Sequence, residues 1–141
     1  MRAAEGEVYM RLKPDVIKDV LLKIEETVVL DEELNIEGIS IEDFCKLLPQ
    51  YNKSEIAYTC LKLDEGGLIT FDHMASSGTL AEGYISGITY YGHEFLEKIR
   101  SETIWNKIKE LGKKAGCHAI SFMATAGETA LLEMIKGNIT S

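Results

Sequence analysis

The sequence predicts an α+β fold: a winged helix-turn-helix with a small antiparallel sheet and additional C-terminal helices. Three observations lead there. An apolar stripe with helical spacing, Ile17, Val20, Leu21, Ile24 and Val28, precedes two short capped helices joined by a tight turn. Two β-type runs, Leu68-Ile69-Thr70-Phe71 and Tyr84 to Thr89, follow directly and form a hairpin. More amphipathic helix fills the rest of the chain. Helix, short strand, two helices and a hairpin, in that order, are the elements of a winged helix, with the hairpin as wing.

Residues 1–9 carry no periodicity and are expected to be a flexible extension, residues 10–92 the winged-helix domain, and residues 93–141 a helical extension. That extension packs on the same domain or forms a dimer interface. Pro14 suits a first helical position, where its missing N–H costs nothing. The acids Asp31-Glu32-Glu33 are expected to end the first helix, and Asn35 to Ile39 to supply one edge strand. Ser40 and Asp43 stand at capping-box spacing before a short helix to Leu48. Pro49 to Asn52 makes the turn. Ser54 is expected to open the second helix, carrying Ile56, Ala57, Cys60, Leu61 and Leu63, and Gly66-Gly67 to stop it. The stretch His73 to Gly83 is expected to be a longish hairpin tip. Beyond it, Thr89 and Ser101 are placed to cap two helices. A third covers about His118 to Lys136, with the stripe Ile120, Met123, Ala124, Ala130, Leu131, Met134 and Ile135.

A chain of 141 residues with 45% hydrophobic content can bury a core without disulfide or metal. Its three cysteines, Cys45, Cys60 and Cys117, are an odd set at wide spacing, read as reduced, small buried hydrophobes. Apolar runs such as Thr27 to Leu30 are far too short to cross a bilayer, and Glu5 and Glu7 interrupt any signal-peptide pattern, so a cytoplasmic location is expected. Net charge is −8, and the acid is concentrated: residues 1–92 carry 17 acids and 8 bases, residues 93–141 carry 6 and 7.

The block Thr89-Tyr90-Tyr91-Gly92-His93-Glu94-Phe95-Leu96-Glu97-Lys98-Ile99-Arg100, followed by Ile104-Trp105-Asn106-Lys107-Ile108-Lys109, resembles an uncharacterised phage and prophage family, domain of unknown function two-five-one-three. Lys13-Pro14-Asp15 to Glu25-Glu26, and Leu61 to Ile69 with Gly66-Gly67, resemble it too. The resemblance spans about Met10 to Ile135. It implies a winged-helix-like fold in bacteria or their viruses and brings no catalytic residues.

No dinucleotide-binding glycine pattern, phosphate-cradling loop or nucleophile elbow occurs, so no enzyme and no cofactor is expected. His93 and Glu94 are read as first-turn helix residues. His73 and His118 lack partners at ligand spacing, and no metal is expected. For DNA, the second helix of the helix-turn-helix offers Lys53, Ser54, Tyr58, Thr59 and Lys62 as outward candidates. Glu55, Asp64 and Glu65 oppose phosphate there, and the stretch His73 to Gly83 has no Lys or Arg. A second basic patch is Lys98, Arg100, Lys107, Lys109, Lys113 and Lys114. Two functions stay open: a DNA-binding regulator, or an acidic module that engages or inhibits a host protein, for which Asp31, Glu32, Glu33, Glu37, Glu42 and Asp43 are suited. A homodimer through the last helix is compatible with both. No membrane partner is expected.

Trp105, at helical spacing with Ile104 and Ile108, is read as core. Trp105→Ala is expected to destabilise the fold by about 3–5 kcal/mol, seen as a lowered thermal midpoint; an unchanged midpoint places Trp105 outside the core.

Overall fold

In the computed structural model, which describes residues 11–116 and 120–140, Pro14 sits in the first turn of helix α1 (Pro14–Thr27). The expected extension over residues 1–9, together with Cys117 and His118, lies outside the described residues. Ile17, Val20, Leu21 and Ile24 form the buried face of α1, as their spacing predicts, with Val16 beside them; Val28, the last of the expected stripe, is the half-buried C-cap. Each such side chain contributes roughly 1.5–3 kcal/mol relative to exposure.

The helix stops at Thr27, ahead of the acidic run that was expected to end it. The acids instead form the turn of a small hairpin between β1 (Val29–Leu30) and β2 (Ile36–Glu37). The single strand expected over Asn35 to Ile39 is therefore two: β2, and β3 (Ile39–Ser40), which pairs with a different sheet. Gly38 makes the break. A Cβ there would lie 2.2 Å from the Ile85 carbonyl oxygen, so only glycine lets the backbone pass. Its N–H donates to the Tyr84 hydroxyl at 3.0 Å.

Ser40 then caps α2 (Ile41–Lys46), its hydroxyl accepting from the Asp43 N–H at 3.2 Å. Helix α3 (Lys53–Glu65) begins one residue earlier than expected, with Asn52 as its N-cap. It ends at the two glycines: Gly67 is left-handed, and the Leu68 N–H returns to the Leu63 carbonyl at 2.8 Å. The three-stranded antiparallel sheet has the order β3-β5-β4, with β4 (Ile69–Ser76) and β5 (Thr79–Ile88). The long tip expected between these strands is a two-residue turn, Ser77-Gly78, with both residues at positive φ. Beyond Phe71 the hairpin is largely exposed on both faces, so no apolar alternation marks it as strand, although the ladder continues.

α1 packs on α3 and β5, and α2 and α3 close the same core around Phe44, Ile56, Leu63, Phe71 and Ile85. The chain divides into two compact units between His93 and Glu94, within helix α4 (Tyr90–Ile99), which Thr89 caps through the Gly92 N–H. In the second unit, α5 (Glu102–Ala115) is capped by Ser101 and ends at left-handed Gly116. It packs on α6 (Ile120–Thr140) through Ile108 and Met123, and Trp105 is 2% exposed. The expected stripe of α6 splits: Met123 and Ala130 are buried, whereas Leu131, Met134 and Ile135 are exposed. The protein is α+β, with six helices and two small antiparallel sheets among the described residues.

Close approach at Gly92 sets a test. A Cβ there would stand 2.0 Å from the Leu68 carbonyl oxygen and 2.6 Å from Ile88 Cγ2, whereas one at Gly87 would meet nothing within 4 Å. Gly92→Ala is expected to cost at least about 1–3 kcal/mol, and Gly87→Ala about 0.5 kcal/mol or less, in urea unfolding. Equal costs mean that the approach at Gly92 relaxes freely.

Candidate functional site

Helix α3 holds the residues that the sequence nominates for DNA. Lys53 and Ser54 are exposed at its start, and Tyr58 and Lys62 are half-buried one and two turns on. Thr59 is a correction. It is 1% exposed, and its hydroxyl donates to the Glu55 carbonyl at 2.8 Å, the back-bond a helical threonine makes when its methyl is packed inward. Counting from Lys53, the fourth and seventh positions, Ile56 and Thr59, share the buried face, so Thr59 cannot reach a ligand.

Neither lysine of α3 is an open charge. Lys53 Nζ lies 2.6 Å from Glu42 Oε1, and Lys62 Nζ lies 2.8 Å from Glu65 Oε2 while standing 5.8 Å from the Tyr58 ring centroid. The Glu42 and Glu65 carboxylates hold their lysine ammonium groups above the ordinary range, by hydrogen bond first and charge second. Lys53 in turn holds the Glu42 carboxyl below it. Asp64, which the sequence places among the acids opposing phosphate, accepts from the Phe71 N–H at 3.1 Å and ties the helix end to β4. Glu55 is paired with Lys13.

The β4–β5 hairpin adds acid. Glu42, Asp72 and Glu82 line one cleft of about 490 Å³, with His73 and Tyr84. His73 stacks on Phe71, with ring centroids 5.3 Å apart, and is exposed, as is His93 in the first turn of α4. Among the described residues, no three His, Cys, Asp or Glu side chains converge to hold a metal ion. Cys60 is buried and Cys45 half-buried; burial pushes both thiols upward, away from thiolate chemistry. No described helix is long and apolar enough to cross a membrane.

In the second basic patch, Lys98 pairs with Glu128 at 2.7 Å, Arg100 with Glu97 at 2.9 Å and Lys114 with Glu110 at 3.3 Å. Lys109 Nζ stands 5.9 Å from the Trp105 ring centroid. Lys107 and Lys113 are exposed. Three of the six bases expected as a patch are thus paired with acids, Lys98 with one on another helix.

Sequence reasoning missed one surface. The β1–β2 hairpin exposes Val29, Leu30, Leu34 and Ile36 beside Glu32, Glu33 and Glu37. The acidic run was legible; of the apolar side chains only Ile36 was read as part of a strand, and Val29 and Leu30 stood before the acids expected to end the first helix. Asp31 is the internal fastener of the turn. Its carboxylate accepts from the Glu33 and Asn35 N–H groups, both at 2.9 Å, and the Asn35 bond is the main cause holding its carboxyl below the ordinary range.

The chain belongs to DUF2513, described as a hypothetical protein, which its residues 11–118 match. It is similar to a protein of Haemophilus influenzae described as uncharacterized, 27% identical over 100 residues that cover 71% of this chain and 76% of that one. No solved structure matches the chain.

The Glu42–Lys53 pair gives a direct test. A depressed folded pKa means that its contribution is present above the unfolded value and fades as pH falls through the folded one. Lys53→Met is expected to raise the Glu42 carboxyl titration midpoint, followed by carbon-detected NMR, back toward the ordinary glutamate range. An unmoved midpoint means that the pair does not form in solution.

Proposed function

We propose that the chain acts by binding, as a winged-helix protein of phage or prophage type in the bacterial cytoplasm, and that its partner is a protein rather than DNA. The order of helices, with a sheet ordered β3-β5-β4 and a terminal hairpin, supports the winged-helix assignment. One observation carries the choice of partner: both lysines of the helix that would enter a DNA groove are already neutralised by carboxylates of the same domain. Affinity for nucleic acid comes largely from lysine and arginine displacing counterions from phosphate. A helix whose two cations are internally paired, beside a hairpin carrying Asp72 and Glu82 and no base, offers little of it. The exposed Leu131, Leu132, Met134 and Ile135 of α6 supply the apolar surface that self-association through that helix would use.

Retention on mixed duplex DNA at about 50 mM salt tests the choice. The wild-type chain is expected to pass through, and Glu42→Gln combined with Glu65→Gln, which frees both lysines, to be retained in part. Retention of the wild type that disappears in a Lys53→Glu, Lys62→Glu variant would overturn the proposal in favour of a DNA-binding regulator.

A further inference from the structure

The β1–β2 hairpin carries three features that its own folding does not explain. Leu30 and Ile36 face one another across the register and are each 63% exposed, so their apolar surface is shared with solvent instead of a core. Leu34 is 77% exposed and sits at φ 67°, in the left-handed region that glycine or asparagine occupies at least cost. A turn selected for stability alone would not hold leucine there. A large apolar residue held at positive φ on an exposed tip is the kind of outlier from which a contact role is inferred. At the base of the hairpin, Ile24, Val28, Leu30, Ile36 and Ile88 line a groove of about 280 Å³, which extends the apolar surface of the Leu30 and Ile36 pair.

The surrounding charge identifies what would cover it. Glu32, Glu33 and Glu37 are exposed on the hairpin itself, and Glu25, also exposed, lines the groove. Asp31, spent on the turn, fixes the geometry that projects its neighbours outward. We infer that this hairpin and groove dock an apolar protein segment flanked by lysine or arginine, an inference that presupposes the protein-binding role proposed above. The apolar side chains would seat beside Leu30, Leu34 and Ile36, and the flanking cations would meet the glutamates at the rim. A central apolar anchor with a charged rim is the usual division of labour at an interface, with affinity from the first and orientation and salt dependence from the second.

Leu34→Gly separates folding from docking, because it removes the side chain and relieves the left-handed strain together. Its thermal midpoint is expected to equal or exceed that of the wild type. A random peptide display library selected on the immobilised full chain is expected to enrich sequences with large apolar residues next to Lys or Arg. Synthetic peptides made from them should bind at least about tenfold more weakly to Leu34→Gly and to a Leu30→Ser, Ile36→Ser variant. They should also weaken as salt rises and in a Glu32→Gln, Glu33→Gln variant. Enriched peptides that bind the hairpin variants as tightly as the wild type would overturn this site while leaving a protein partner standing. Absence of any enrichment would overturn both. Self-association of the chain that is lost in the hairpin variants would make the occupant a second copy and overturn the basic segment.

Discussion

The passage of the backbone at Gly38 is the constraint from which the rest of the first unit follows. With the Ile85 carbonyl oxygen 2.2 Å from where a side chain would begin, the chain can leave the β1–β2 hairpin and join β5 within one residue. The Tyr84 hydroxyl secures the turn by accepting the glycine N–H. Everything on either side is positioned by that crossing. Before it, the acidic hairpin is held apart from the three-stranded sheet as a two-strand projection with its own turn. After it, Ser40 caps α2 at once, which brings Glu42 to the start of α3 and within reach of Lys53.

That arrangement decides what α3 presents. Exposed ion pairs add little to stability, commonly under about 1 kcal/mol, because water screens them and two long side chains lose freedom. Their consequence here is for recognition. Lys53 and Lys62 look like two phosphate contacts when α3 is taken alone, but Glu42 and Glu65 convert them into locally neutral pairs. The charge that remains is negative, distributed over the acids of the β1–β2 hairpin and over Asp72 and Glu82 in the cleft. That balance of charge is what supports the proposed protein partner over DNA.

Among the described residues of this unit, two non-glycine residues sit at positive φ, Leu34 and Ser77, and both are exposed. Ser77 lies in a tight β-hairpin turn where a small polar side chain is tolerated. Leu34 has no such excuse: it is a large apolar residue, and it is 77% exposed. The two turns thus differ in what they carry at positive φ, a small polar side chain in one and a large apolar one in the other.

By itself, the sequence determined the helices and the hydroxyl caps of α2, α4 and α5, but not the start of α3 or the end of α1. Apolar spacing in α1 and α3, the hydroxyls of Ser40, Thr89 and Ser101, and the paired glycines after α3 act within a few residues of themselves, so a local pattern suffices to find them. It also determined the α+β class, through the order of those elements. Tertiary structure alone decided the rest. The length of the β4–β5 ladder was hidden because both its faces meet water and carry no alternation. Thr59 looked available because a polar residue gives no sign that its methyl will pack inward and its hydroxyl bond back to Glu55. The pairing of Lys53 with Glu42, eleven residues away, depends on how α2 and α3 turn against each other. The division of Asn35 to Ile39 between two sheets depends on the Ile85 carbonyl, forty-seven residues beyond Gly38, which no local pattern can register.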